Sequence, residues 1–176
     1  MMHSTSNKNP FCLDGIDLSS GNRLVLRLAR VFRRKNLRRF TLMFANLSRC
    51  NLKGFDFSDA KLLFANLIEA NLFRATLIRA DISGSRMSMA NLSEADLSGA
   101  MLIFVSLNGA NLSDANLRGA NLWKADLTDV TVDGADFTGA DLTDAIVDGV
   151  DWSKAKSLDR VIGLNLPKAG SQNKKD

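Results

Sequence analysis

The chain has 176 residues, 45% of them hydrophobic and 24% charged, with a formal net charge of +4. That length favours one domain, and that composition fits a soluble globular protein and excludes global disorder. Two cysteines, Cys12 and Cys50, exclude a disulfide framework, and no apolar run reaches the roughly 18 residues of a membrane span.

The opening MMHSTSNKNPFCLDG has no apolar h-region, so no signal peptide is expected. DGIDLS reads as a stray strand that extends an N-terminal lid. Residues 22–34 then read as an amphipathic helix. Arg23, Arg27, Arg30 and Arg34 share one face, and Leu24, Leu28, Val31 and Phe32 share the other. The simplest role is a cap that seals the next element with its apolar face. The alternative is that the arginines bind an anionic membrane surface or nucleic acid. Charge is uneven along the chain: residues 1–53 carry +9, residues 54–155 carry −8, and residues 156–176 carry +3.

From Lys35 to Lys154 the sequence repeats every five residues, 24 units without an insertion or deletion. The third position is Leu in 17 units and apolar in the rest, the first is Ala in 16, and the second is Asp or Asn in 16. A period of five fits neither an α-helix nor a strand. A chain that turns a small and a larger apolar group inward once per unit must bend after each unit. Four bends close a square coil of 20 residues, and the six coils stack like parallel strands about 4.8 Å apart. Both prolines, Pro10 and Pro167, fall outside the array, and eight of the twelve glycines occupy its fifth position, where a turn needs permissive angles.

The units ANLSD, ANLRG, ADLTD and ADLSG follow the motif A-(D/N)-L-x-x, which resembles the pentapeptide-repeat family. The resemblance covers residues 35–154 and implies an all-β fold, a right-handed quadrilateral parallel β-helix with positions one and three inward. Here it would carry an N-terminal helical cap. The expected organisation is therefore residues 1–34 as N-terminal segment, 35–154 as β-helix, and 155–176 as C-terminal cap and tail. Lys35, Phe40 and Phe55 are too large or charged for the small inward position, so the first coils are expected to be irregular. SRMSM (85–89) is the weakest internal unit and a candidate bulge. Trp152 reads as the lid of the last coil, KSLDRVIG (156–163) as a short capping turn or helix, and PKAGSQNKKD as a disordered tail.

Sorted by coil, the outward positions give one side an apolar stripe: Met43, Phe44, Leu63, Phe64, Met101, Ile103, Phe104 and Trp123, interrupted by Ser83 and Gly84. Equivalent positions elsewhere are mostly small or charged, apart from Ile68, Phe73 and Ile78. Such a stripe needs a cover: another protein, a second copy, or the chain's own first 34 residues. An acidic surface is expected at Asp126, Asp129, Asp133, Asp136, Asp141, Asp144, Asp148 and Asp151. No catalytic set appears. His3 is the only imidazole, Cys50 sits at an inward position, and the aspartates recur as part of the repeat. Catalytic, cofactor-binding and metal-binding residues are accordingly expected to be none. The sequence reads as a protein-interaction scaffold. The family resemblance adds a second reading, since some members mimic DNA and bind type II topoisomerases, and it favours a bacterial cytoplasmic location.

Overall fold

A computed structural model describes residues 34–164. The backbone winds as a four-sided parallel β-helix: Asn36 bridges Asp56, Thr41 bridges Lys61, and the register of 20 continues to Asp126 with Ile146. Each side is one pentapeptide, and each ends in a tight turn closed by a bond such as Phe40 N–H to the Leu37 carbonyl, 3.2 Å. The fifth residue of every unit from Arg39 to Gly149 has φ between +54° and +75°. This is the left-handed region that lets the chain turn back on itself.

The hydrogen bonds explain the repeat. Position two donates to the preceding coil (Asp56 N–H to Lys35 C=O, 2.8 Å), and position three donates to the next (Leu37 N–H to Asp56 C=O, 2.7 Å). Position five also donates to the next coil (Arg39 N–H to Ser58 C=O, 3.0 Å), and position one closes the turn. Only the N–H of position four is left without a backbone acceptor. The Asp or Asn at position two supplies one: Asn36 Oδ1 accepts from Arg38 N–H at 3.1 Å, Asp56 Oδ1 from Ser58 N–H at 2.9 Å, and Asn111 Oδ1 from Ser113 N–H at 2.9 Å. Buried amides must find partners, and this local turn satisfies the last one.

Inside, the third positions form continuous ladders. Leu37, Leu42, Leu47 and Leu52 are as fully buried as Leu102 or Leu117, and the inward alanines from Ala45 to Ala140 are buried too. The alanines let opposite walls approach closely.

Three expectations are corrected. The first coils depart from the pattern only at Lys35, exposed with φ of +49°, and at Phe40, half-buried. Their bridges keep the register of 20, and Phe55, expected not to fit, is buried and packs at 6.0 Å from the Phe57 ring. Room for it exists because Lys35, one coil before, turns outward and donates Nζ to the Lys53 carbonyl at 2.9 Å. SRMSM is not a bulge either. Arg86 bridges both Asn66 and Ser106, and Met87 takes the leucine position fully buried. The unit is weak in another sense, since the buried hydroxyl of Ser85 has no partner. Finally, residues 156–163 are neither a helix nor an isolated turn. They continue the winding after a one-residue slip, with Ser157 bridging Asp136 and Ile162 bridging Asp141. Gly134 N–H already donates to the Lys154 carbonyl instead of that of Ser153, while the Lys156 amide still donates to the Ala135 carbonyl, so the extra residue is taken up across the turn from Trp152 to Ser157.

Trp152 does close the end. It opens the one-turn 3-10 helix Trp152–Lys154, is buried, and meets Phe137 edge to face at 5.2 Å. Asp151 caps that turn through Ser153. The basic helix expected at 22–34 lies outside the described residues except for Arg34, which is exposed. DGIDLS and the tail beyond Leu164 also lie outside them.

Candidate interaction surface

Position four and position five of each unit form the corners of the coil and point away from the axis. The stripe residues occupy one such corner and the side that leads into it. Phe44, Phe64 and Phe104 are 61%, 54% and 57% exposed, and Met101 is 44% exposed. Met43, Leu63, Ile103 and Trp123 are half-buried beside them. The rings are ordered against one another. Phe44 stacks on Phe64 at 5.4 Å with an interplanar angle of 12°, and Phe104 meets Trp123 at 5.1 Å edge to face. Lys124 lays its ammonium 4.4 Å from the Trp123 ring centroid, a cation–π contact on the same corner.

Side chains at position five lean toward the next coil, and Gly84 shows the consequence. A Cβ there would sit 2.5 Å from the Phe64 ring, so Phe64 lies over Gly84 and fills its place. The sequence gap at Ser83–Gly84 is thereby half covered by an aromatic ring. Two apolar patches result, Phe44–Phe64 and Met101–Trp123, with a shallow saddle between them.

The other corners carry ion pairs. Arg49 reaches Glu69 at 3.0 Å, Arg74 reaches Glu94 at 2.6 Å, and Arg79 reaches Asp59 at 2.9 Å, each spanning one coil. Hydrogen bonds from Arg79 hold the Asp59 carboxyl below its ordinary range, and those from Arg49 do the same for Glu69. These pairs are exposed and contribute little stability individually. Phe73, apolar in the sequence, is flanked by Lys53 at 4.6 Å and Arg74 at 4.8 Å.

The acidic run divides by role. Asp126, Asp136, Asp141 and Asp151 stand at position two and accept from Thr128, Thr138, Thr143 and Ser153. Bonds from the Thr138 hydroxyl lower the Asp136 pKa, with Arg118 adding to the effect, and Thr143 and Ser153 lower Asp141 and Asp151 likewise. Asp129, Asp133, Asp144 and Asp148 stand at corners, but at three different ones, and Asp133 has Lys154 at 3.7 Å. They do not form one acidic face. Asp129, Asp133, Asp151 and Lys154 line a shallow opening of about 220 Å³ where the bridge of Thr131 to the next coil is missing. Among the described residues no group of three or more His, Cys, Asp or Glu is arranged to hold a metal ion. Nor is any helix among them long and apolar enough to cross a membrane. Sequence reasoning missed Met89, 64% exposed on a neighbouring corner, and Ile146 and Ile162, exposed near the C-terminal end. Register positions five and two signalled the first two, whereas Ile162 would fall at an inward third position in the unbroken period and reaches position two only through the slip.

A solenoid of pentapeptide sides with structural aspartates and an outward aromatic column defines a repeat protein of the β-helix class. The chain belongs to the pentapeptide repeat family, whose family model matches in 8 copies at residues 41–77, 75–114, 95–134 and 106–144. Among solved structures it is similar to a pentapeptide repeat protein from the Arabidopsis thaliana thylakoid lumen, at 31% identity and a TM-score of 0.43 over 60% of this chain. The chain spans 63% of that protein's length. It is similar to HetL, a protein involved in heterocyst differentiation regulation from the cyanobacterium Nostoc, at 28% identity and a TM-score of 0.26 over 68% of this chain and 75% of the other. QnrB1, a plasmid-mediated fluoroquinolone resistance protein, matches at 18% identity and a TM-score of 0.35 over 86% of this chain and 89% of its own. No curated protein matches the chain significantly.

Proposed function

We propose that this chain is a non-enzymatic protein-interaction scaffold whose working surface is the aromatic stripe, acting in the cytoplasm. The observation that carries this reading is the column of Phe44, Phe64 and Phe104, each more than half exposed on one side of the rod. Folding does not require them there. The inward leucines and alanines already form the core, and the equivalent corners of other coils carry Ser, Gly, Asp or ion pairs. Aligned aromatic residues with few rotatable bonds are the side chains that anchor protein contacts. The reading as a DNA mimic lacks support from the acids, which lie on three corners rather than along one face.

The test compares wild type with Phe44→Asp/Phe64→Asp/Trp123→Asp in a pull-down from host lysate, alongside light scattering. A folded variant that loses a captured protein, or loses a dimer seen for wild type, supports the reading. Equal behaviour of the two proteins in both measurements overturns it.

A further inference from the structure

Resting on that reading, we infer that the stripe receives a single amphipathic α-helix of a partner protein, running along the rod and carrying acidic residues on both flanks of its apolar face. Size is the first argument. From Phe44 to Lys124 the stripe crosses four coil spacings, about 20 Å at roughly 4.8 Å each, and one side is about 10 Å wide. Its projected area, on the order of 200 Å², falls far short of the roughly 800 Å² per partner of a stable dimer. It matches one helix, about 10 Å across, of roughly thirteen residues.

Spacing is the second. Phe64 and Phe104 stand two coils apart, roughly 10 Å, on either side of the Ser83–Gly84 saddle. Helix residues i and i+7 lie about 10 Å apart on one face, so two large apolar side chains of one helix reach both patches.

Charge is the third. Lys61 and Lys124 are the two cations on this side. Both are exposed, and neither has a carboxylate within ion-pair distance among the described residues. On the other sides Arg49, Arg74, Arg79 and Arg118 each have one, whereas Lys53, held over the Phe73 ring, and Arg86, exposed on the side that follows the saddle and a third cation beside the stripe, do not among the described residues. Lys61 lies on the position-two flank of the stripe and Lys124 on its corner flank, three coils apart or roughly 14 Å. Asp81, the acid between them, is half-buried and accepts from the Ser83 amide at 3.1 Å. A helix seated between the lysines meets a positive charge on each flank, at opposite ends. A second copy of the stripe would bring the same lysines, and the arginine-rich residues 22–34 would bring more positive charge. Asp144, one coil beyond Lys124, marks where the acidic partner must end.

The probe is a displayed library of random sixteen-residue peptides selected against the full chain, followed by titration of the enriched peptides by fluorescence anisotropy. Acidic sequences with apolar residues at i, i+3 or i+4, and i+7 are expected. Phe64→Ala/Phe104→Ala should weaken their binding about tenfold or more, and Lys61→Glu/Lys124→Glu should reverse the preference toward basic helices. Enriched peptides without helical period, enriched basic peptides, or binding insensitive to both variants would overturn the inference. So would peptides selected only after Leu24→Asp/Leu28→Asp, which would assign the stripe to the chain's own N-terminal residues. If nothing is enriched while the Phe44→Asp/Phe64→Asp/Trp123→Asp variant still loses its captured protein or dimer, the helix fails and the scaffold stands. If that variant also changes nothing, both fail.

Discussion

Ser85 occupies the small inward position that alanine fills in most coils, and its hydroxyl is buried without a partner. An unmade hydrogen bond in the interior costs about 1–3 kcal/mol relative to a group that needs none. Ser85→Ala removes the hydroxyl and leaves the β-carbon in place. It should raise the unfolding free energy by about 1 kcal/mol, read from the midpoint of urea denaturation at unchanged slope. A lower midpoint would mean that the hydroxyl has a partner. Gly163 makes the opposite case. A Cβ there would collide with the Thr143 backbone, and its φ is +77°. Gly119 shares the positive φ but has nothing within 4 Å. Gly119→Ala should therefore cost only the left-handed strain, about 1 kcal/mol, whereas Gly163→Ala must also push the final turn off Thr143. Hydrogen exchange should show the second variant releasing the Ile162 amide from Ala140 while the first leaves it protected.

At the scale of the pentapeptide, the acidic side chains are parts of turns. Asp136, Asp141 and Asp151 each hold the adjoining turn, and each has its pKa lowered by those hydrogen bonds. A carboxylate depressed in the folded state stabilises above its unfolded pKa, near 4, and the contribution is lost as pH falls through the folded value. Stability should therefore decline below about pH 4 as the unfolded chain binds more protons. Asp136→Asn/Asp141→Asn keeps an acceptor at both turns and removes both titrations. Its stability should fall less steeply with acid, measured as urea midpoints from about pH 6 to about pH 2.5, and an unchanged slope would refute the assignment. Much of this element was legible from the period alone: the inward Leu and Ala, the corner glycines and the outward aromatics all came from the register. The reason for Asp or Asn at position two was not, because it depends on which amide the neighbouring coils leave unpaired. The same limit applies to Phe55, which fits only because Lys35 turns outward, and to the one-residue slip across Trp152–Ser157, which no motif announces. The division of the aspartates into turn acceptors and corner charges likewise required the position of each in the coil.

Across the whole molecule each coil touches only its neighbours, so stability sums along the rod and its ends open first. The two tryptophans sample different points of that sum. Trp123 lies on a side whose inward Ala120 and Leu122 are fully buried and whose Asn121 bridges both Met101 and Asp141. Trp152 lies in the last winding, where Ala145, Val147 and Val150 are only partly buried and the bridge between Thr131 and its successor is absent. Its turn hydrogen bonds lengthen as well: Val150 N–H to Val147 C=O is 3.4 Å and Lys154 N–H to Asp151 C=O is 3.3 Å, against 3.0 Å for Ala100 to Leu97. The indole Nε1 of Trp152 is buried without a partner, so Phe can replace the ring at small cost, keeping its contact with Phe137. Trp123 is half-buried at a corner and tolerates the same change. These changes give two single-tryptophan proteins, Trp152→Phe reporting on the middle and Trp123→Phe on the C-terminal end. In a urea titration monitored by tryptophan emission, the Trp123→Phe protein should respond at lower denaturant than the Trp152→Phe protein, while circular dichroism of each spans both transitions. Coincident midpoints would instead show that the slip and the cap at Trp152–Lys154 couple the last winding to the rest, and that the rod unfolds as one unit.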